Sequence, residues 1–80
     1  MIVVEVRVGL KKGVTDPEGA NTKKSLELLG YKEITSVKSI KVYRMELEMD
    51  DLAKAKSRAE EMCRRLLTNP AIHTYEIIFP

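Results

Sequence analysis

Ile2-Val3-Val4-Glu5-Val6-Arg7-Val8-Gly9-Leu10 runs without a break into Lys11-Lys12-Gly13-Val14-Thr15-Asp16-Pro17. Within these sixteen positions the hydrophobic pattern changes character. Ile2, Val4, Val6, Val8 and Leu10 alternate with Val3, Glu5, Arg7 and Gly9, which is the period of a β-strand with one buried face. Lys11-Lys12-Gly13 ends that strand. Asp16-Pro17 then opens a helix. An Asp side chain accepts the orphan N–H groups of a first turn, and a proline at the first helical position has no N–H to leave unpaired. A strand followed directly by a helix, early in a short chain, points to an α+β fold.

The rest of the chain extends this beginning. Helical spacing continues to Leu29 and stops at Gly30, a residue suited to the left-handed conformation just past a helix end. The helix is therefore expected over 17–29, weakened slightly by Gly19 in its first turn. Residues 33–49 read as two antiparallel strands or one long bent one. In the second half, Tyr43, Met45, Leu47 and Met49 alternate with Val42, Arg44, Glu46 and Glu48. The first half rests on Ile34 and Val37, with a turn near Ser39-Ile40-Lys41 and no Asn-Gly or Asp-Gly pair to tighten it.

Asp50-Asp51 caps a second helix over about 51–68. Its apolar stripe is Leu52, Ala55, Ala59, Met62, Cys63, Leu66 and Leu67. Asn69-Pro70 stops it. Tyr75, Ile77 and Phe79 then alternate through a closing strand. The order β-α-β-β-α-β is that of a ferredoxin-like sandwich, with two helices on one face of an antiparallel sheet.

Eighty residues fit one domain, spanning 1–80. A chain this short buries only about 60% of the surface it exposes when unfolded, so it gains from a partner. On the open sheet face, Val3, Val42 and Ile78 lie among Glu5, Arg7, Arg44, Glu46 and Glu76. These three β-branched residues are the expected centre of a self-association surface.

Charge and composition narrow the function. Fourteen basic residues against twelve acidic ones leave a net charge of +2, too even to argue for nucleic acid or an anionic membrane. RNA-binding relatives of this layout stack bases on aromatic residues of the open face. Here the strand pattern sends Tyr43, Tyr75 and Phe79 to the other face. No apolar run approaches the roughly 20 residues of a membrane span. The start, interrupted by Glu5 and Arg7, does not read as a signal peptide. The single cysteine, Cys63, excludes an internal disulfide and suits a reducing cytoplasm.

No set of residues is able to run chemistry alone. His73 and Cys63 could pair as base and nucleophile, but Cys63 lies on the helix stripe and reads as a buried apolar residue. Asp50 and Asp51 could hold a metal, yet their place at a helix start makes them caps. Arg58, Arg64 and Arg65 with Lys54 and Lys56 make this helix basic, but Glu60–Arg64 and Glu61–Arg65 are four-residue pairs, which describes a solvated helix face. Lys11-Lys12-Gly13 has one glycine and cannot form a Walker-type cradle. Metal and cofactor sites are expected to be absent from this chain.

Two longer segments carry a resemblance. One is Leu10-Lys11-Lys12-Gly13-Val14-Thr15-Asp16-Pro17-Glu18-Gly19, leading to Leu28-Leu29-Gly30-Tyr31. The other is Met62-Cys63-Arg64-Arg65-Leu66-Leu67-Thr68-Asn69-Pro70-Ala71-Ile72-His73-Thr74-Tyr75-Glu76. In order and spacing both resemble the PurS family, the small subunit of phosphoribosylformylglycinamidine (FGAM) synthase. The resemblance implies a non-catalytic part in the fourth step of purine synthesis. There a large synthetase subunit uses ATP and Mg to activate the amide oxygen of formylglycinamide ribonucleotide. A glutaminase subunit supplies the ammonia that displaces it. The small subunit, as a dimer or larger oligomer, bridges the two.

The turn between the middle strands often holds a Gly-Lys pair in that family, where this chain has Ser39-Ile40-Lys41. A bridge needs surfaces, and exposed turns often supply them. The expected partner contacts are Lys11, Lys12, Gly13, Asp16 and Pro17, with Asn69 and Pro70. The alternative is a ferredoxin-like regulatory domain that binds a small-molecule effector.

Overall fold

In a computed structural model describing residues 1–80, the alternation of the first segment becomes strand β1 (Ile2–Leu10). It lies at the centre of a three-stranded antiparallel sheet, between β2 (Lys41–Leu47) and β3 (His73–Ile78). Ile2 stands opposite Leu47 and Val8 opposite Lys41 on one side. Glu5 stands opposite Ile78 and Leu10 opposite His73 on the other. This register puts Val4, Val6 and Val8 on one face with Tyr43, Met45, Tyr75 and Ile77, as the period of two requires.

Helix α2 (Leu52–Met62) covers that face, packing on β1 and β3. Its contact stripe is built from small residues: Ala55, Ala59 and Cys63 are fully buried, as are Val4 and Val6. Small side chains let the helix axis approach the sheet closely, and the valines fill the gap. Each buried valine contributes about 1.5–3 kcal/mol by leaving water. Asp51 caps the helix, accepting from the Lys54 N–H at 3.2 Å. At its far end the helix widens into a π-turn over Cys63–Leu67. There the Cys63 carbonyl accepts both the Thr68 N–H, at 3.0 Å, and the Thr68 hydroxyl, at 2.8 Å. Asn69-Pro70 follows at once, and a proline there bars any further helical turn.

Helix α1 (Pro17–Leu28) behaves differently. It makes only marginal contact with the sheet, and Gly19 is its one buried residue. It ends in a full Schellman motif: Gly30 takes φ 103°, its N–H reaches Glu27 O, and the Tyr31 N–H reaches Leu26 O. The chain then turns at Lys32-Glu33 and returns to β2 without regular structure. The molecule measures 48 × 25 × 14 Å, with a radius of gyration of 16.0 Å. A compact domain of this length would have about 12 Å, so α1 and its return segment project as an arm.

The α+β class with two helices and an antiparallel sheet stands. One expected strand does not form. Residues 33–39, expected as the first of two middle strands, form no ladder: Glu33 belongs to a turn and the rest pair with no strand, so the order is β-α-β-α-β. Across 33–40 only Ser39 uses its N–H in a hydrogen bond. Ile34 and Val37 are half-buried along the arm rather than in the sheet. Their β-propensity goes unanswered: nothing pairs with them, although the outer edge of β2 carries no strand. Of the two helices expected on the sheet face, α2 supplies the packing and α1 reaches beyond it.

Candidate functional site

The turns expected to bind partners gather at one end of the sheet. The Lys11 N–H donates to the Ile72 carbonyl at 2.8 Å. That single bond fastens the β1–α1 turn to the α2–β3 turn. Gly13, at φ 88°, adopts the left-handed conformation that lets the first turn close. The second turn is tied internally. The Asn69 side chain accepts from the Ala71 N–H at 3.0 Å, and the Asn69 N–H donates to His73 Nδ1 at 2.8 Å. The Asn69 carbonyl takes the Ile72 and His73 N–H groups. Lys11, Lys12, Gly13, Asn69 and Pro70 therefore form one exposed surface. His73 opens β3 and is half-buried.

Asp16 is the junction of this end. Its carboxylate caps α1 by accepting from the Gly19 N–H at 2.9 Å. It also accepts from the Ser39 N–H and hydroxyl, each at 2.8 Å. The Gly19 N–H first, then the Ser39 N–H and hydroxyl, hold its pKa below the ordinary 3.8, against a smaller opposing effect of burial. Gly19 leaves room for this arrangement. A Cβ there would lie 2.5 Å from the Val37 carbonyl and 2.6 Å from Asp16 Oδ2. The N-cap role was legible from Asp16-Pro17; the bridge to Ser39, twenty-three positions away, had no local signal.

Between α1, the Ser39–Lys41 segment and the sheet lies a cleft of about 310 Å³. Its walls include Leu10, Pro17, Tyr43, Leu67 and His73. Asp16 and Glu18 also line it, but the one thiol of the chain does not. Cys63 is sealed under α2, and burial first, with Glu60 adding, pushes its thiol pKa up despite Arg64. A buried, fully protonated thiol is a poor nucleophile. Asp50 pairs with the terminal amine of Met1 at 3.2 Å and Asp51 caps α2, so neither faces the cleft. No three His, Cys, Asp or Glu side chains come together as metal ligands, and no helix is long and apolar enough to cross a membrane.

Val3, Val42 and Ile78 share the uncovered sheet face, but none stands opposite another. Their partners across the ladder are Glu46, Arg7 and Glu5. The centre of that face is the pair of Glu5 and Arg44, with Nη2–Oε2 at 2.7 Å and Nε–Oε2 at 2.8 Å. Larger apolar residues are exposed elsewhere, including Leu28 at 79%, Leu29 at 75% and Leu66 at 83%.

The relatives of the chain identify it. The family model described as PurS, phosphoribosylformylglycinamidine (FGAM) synthase, matches residues 3–79. This chain belongs to the PurS family. The PurS subunit of Archaeoglobus fulgidus FGAM synthase is 41% identical to it over 78 residues, 98% of each chain. The crystal structure of Methanocaldococcus jannaschii PurS, a subunit of formylglycinamide ribonucleotide amidotransferase in purine biosynthesis, superposes with a TM-score of 0.90. It is 38% identical, and the match covers all of this chain and 96% of that one. A chain of the Thermotoga maritima PurLQS structure shares the fold, with a TM-score of 0.84 at 23% identity and full coverage of both chains. PurS membership places the chain in purine biosynthesis as a subunit of FGAM synthase.

Proposed function

We propose that this chain is the non-catalytic subunit that bridges the synthetase and glutaminase subunits of FGAM synthase in the cytoplasm, so that ammonia from glutamine reaches formylglycinamide ribonucleotide. The near end-to-end match to PurS subunits carries this reading. ATP and Mg belong to the synthetase partner, and this chain holds no cofactor of its own. Only eight of its eighty residues are buried, a core thin enough that apolar surface is left for other chains to cover. The chain associates with itself as a dimer or tetramer, and Val3, Val42 and Ile78 with their sheet face are one surface for that contact.

Reconstitution tests the bridge. With purified synthetase and glutaminase subunits, adding this chain is expected to give co-elution of all three and glutamine-dependent amidine formation. Omitting it should abolish the glutamine-dependent reaction and spare the reaction fed with free ammonia. Equal glutamine-dependent activity with and without the chain would refute the reading.

A further inference from the structure

One end of the sheet carries a charge pattern that the bridging role leaves unexplained. Lys11, Lys12, Lys38 and Lys41 are all exposed, and none takes part in an ion pair. Lys11, Lys12 and Lys38 line a cleft of about 450 Å³ beside Gly13 and Ser39. Lys41 opens β2 next to it, opposite Val8. The one carboxylate in that lining is Asp16, and its oxygens are occupied by Gly19 and Ser39. By gripping Ser39, Asp16 sets Lys38 on the return segment against Lys11 and Lys12 on the β1–α1 turn. Two stretches of chain that approach from opposite directions are thus held as one basic rim.

Acids gather toward the other end of β2: Glu46 lies near its far end and Glu48, Asp50 and Asp51 follow it, whereas Lys41 opens the strand. At the basic end the adjoining cleft adds one further carboxylate, that of Glu18. Lys12 and Gly13 keep their N–H groups free of any hydrogen bond within the chain. Beyond Gly13, a Cβ would meet nothing within 4 Å, so the turn is open to an approaching chain. An exposed cluster of one sign recruits its opposite and sets orientation. The lining has no aromatic residue on which a base could stack, which disfavours nucleic acid.

We propose that this lysine-rimmed cleft docks an acidic segment of one of the two catalytic subunits, its carboxylates meeting Lys11, Lys12 and Lys38 and the free amides of the turn. This rests on the bridging function above and names the chemistry of one of its contacts.

The test is assembly of the full complex with the K11E/K12E/K38E variant, alongside K54E/K56E on the exposed side of α2. All these lysines are exposed, and circular dichroism checks that both variants fold. The triple variant is expected to raise the apparent Kd for one catalytic subunit at least about tenfold. It should also remove most of the salt dependence of that binding, and K54E/K56E should change neither. Undiminished assembly of the triple variant, with the salt dependence of the wild type retained, overturns the docking site while the bridge stands. So does retained assembly with loss of inorganic phosphate binding, which would reassign the lysines to a free anion. If the wild-type chain joins neither subunit, the bridge fails and the docking site with it.

Discussion

The two helices were assembled from similar materials and do opposite work. Both begin at an Asp cap that accepts the N–H three residues on. Yet α2 presses Ala55, Ala59 and Cys63 onto the sheet and buries them fully, whereas α1 buries only Gly19 and leaves Leu28 and Leu29 in water. The difference lies in the size of the contacting residues. A stripe of Ala and Cys fits against a valine-lined sheet. A helix offering bulkier residues at its exposed end is held instead at its first turn, by one carboxylate and one glycine. Sheet plus α2 is the stable unit of the chain, and the arm is a locally ordered attachment to it.

Substitutions separate the two regions. The largest effect is expected from Ala59→Asp, which puts a charge with no partner where there is no exposed surface. The cost is several kcal/mol, a large share of the stability of a domain this size, and urea titration should show loss of the whole fold. Gly19→Ala is expected next. Its Cβ would collide with the backbone at Val37, at roughly 1–3 kcal/mol. Hydrogen exchange should then rise across residues 17–39 and stay unchanged in Ala55 and Ala59. A rise in α2 as well would show the arm to be integral to the core.

Acid should reach the arm alone by another route. The folded pKa of Asp16 lies below its ordinary 3.8, so its stabilisation is complete above that value and is lost as pH falls through the lower, folded one. The amide resonances of Gly19 and Ser39 are expected to titrate together in that range, and Asp16→Asn should remove the titration. Leu28→Asp is expected to have the smallest effect, within about 0.5 kcal/mol of wild type in thermal melts. The same change would be ruinous on the buried stripe of α2.

Most elements were legible because their signals are local. The alternation of Ile2–Leu10, the Asp16-Pro17 and Asp51 caps, the left-handed Gly30 and the Asn69-Pro70 stop each fix structure within a turn or two. The helix expected over about 51–68 runs to Leu67, with Thr68 as its cap, and its last turn is π rather than α. Nothing in Cys63–Leu67 announces that a Thr68 hydroxyl will share a carbonyl with its own N–H. The extra strand over 33–39 failed because propensity at Ile34 and Val37 is local, whereas a strand needs a neighbour. The candidate site divides in the same way. Its turns could be read as turns, but their convergence could not. The bonds from Lys11 to Ile72 and from Asp16 to Ser39 link positions far apart in sequence.

Cys63 offers a use that its lack of reactivity creates. A thiol with no exposed surface can meet a labelling reagent only when α2 lifts from the sheet. The chain thus contains a single built-in clock for opening of its stable unit, and that clock is blind to motion of the arm. Its ticking rate, followed with an aromatic disulfide reagent, should quicken in variants of the α2 stripe and hold steady when Gly19 or Asp16 is changed. When a partner is added, the same rate would report whether it clamps the sheet or merely grips the arm.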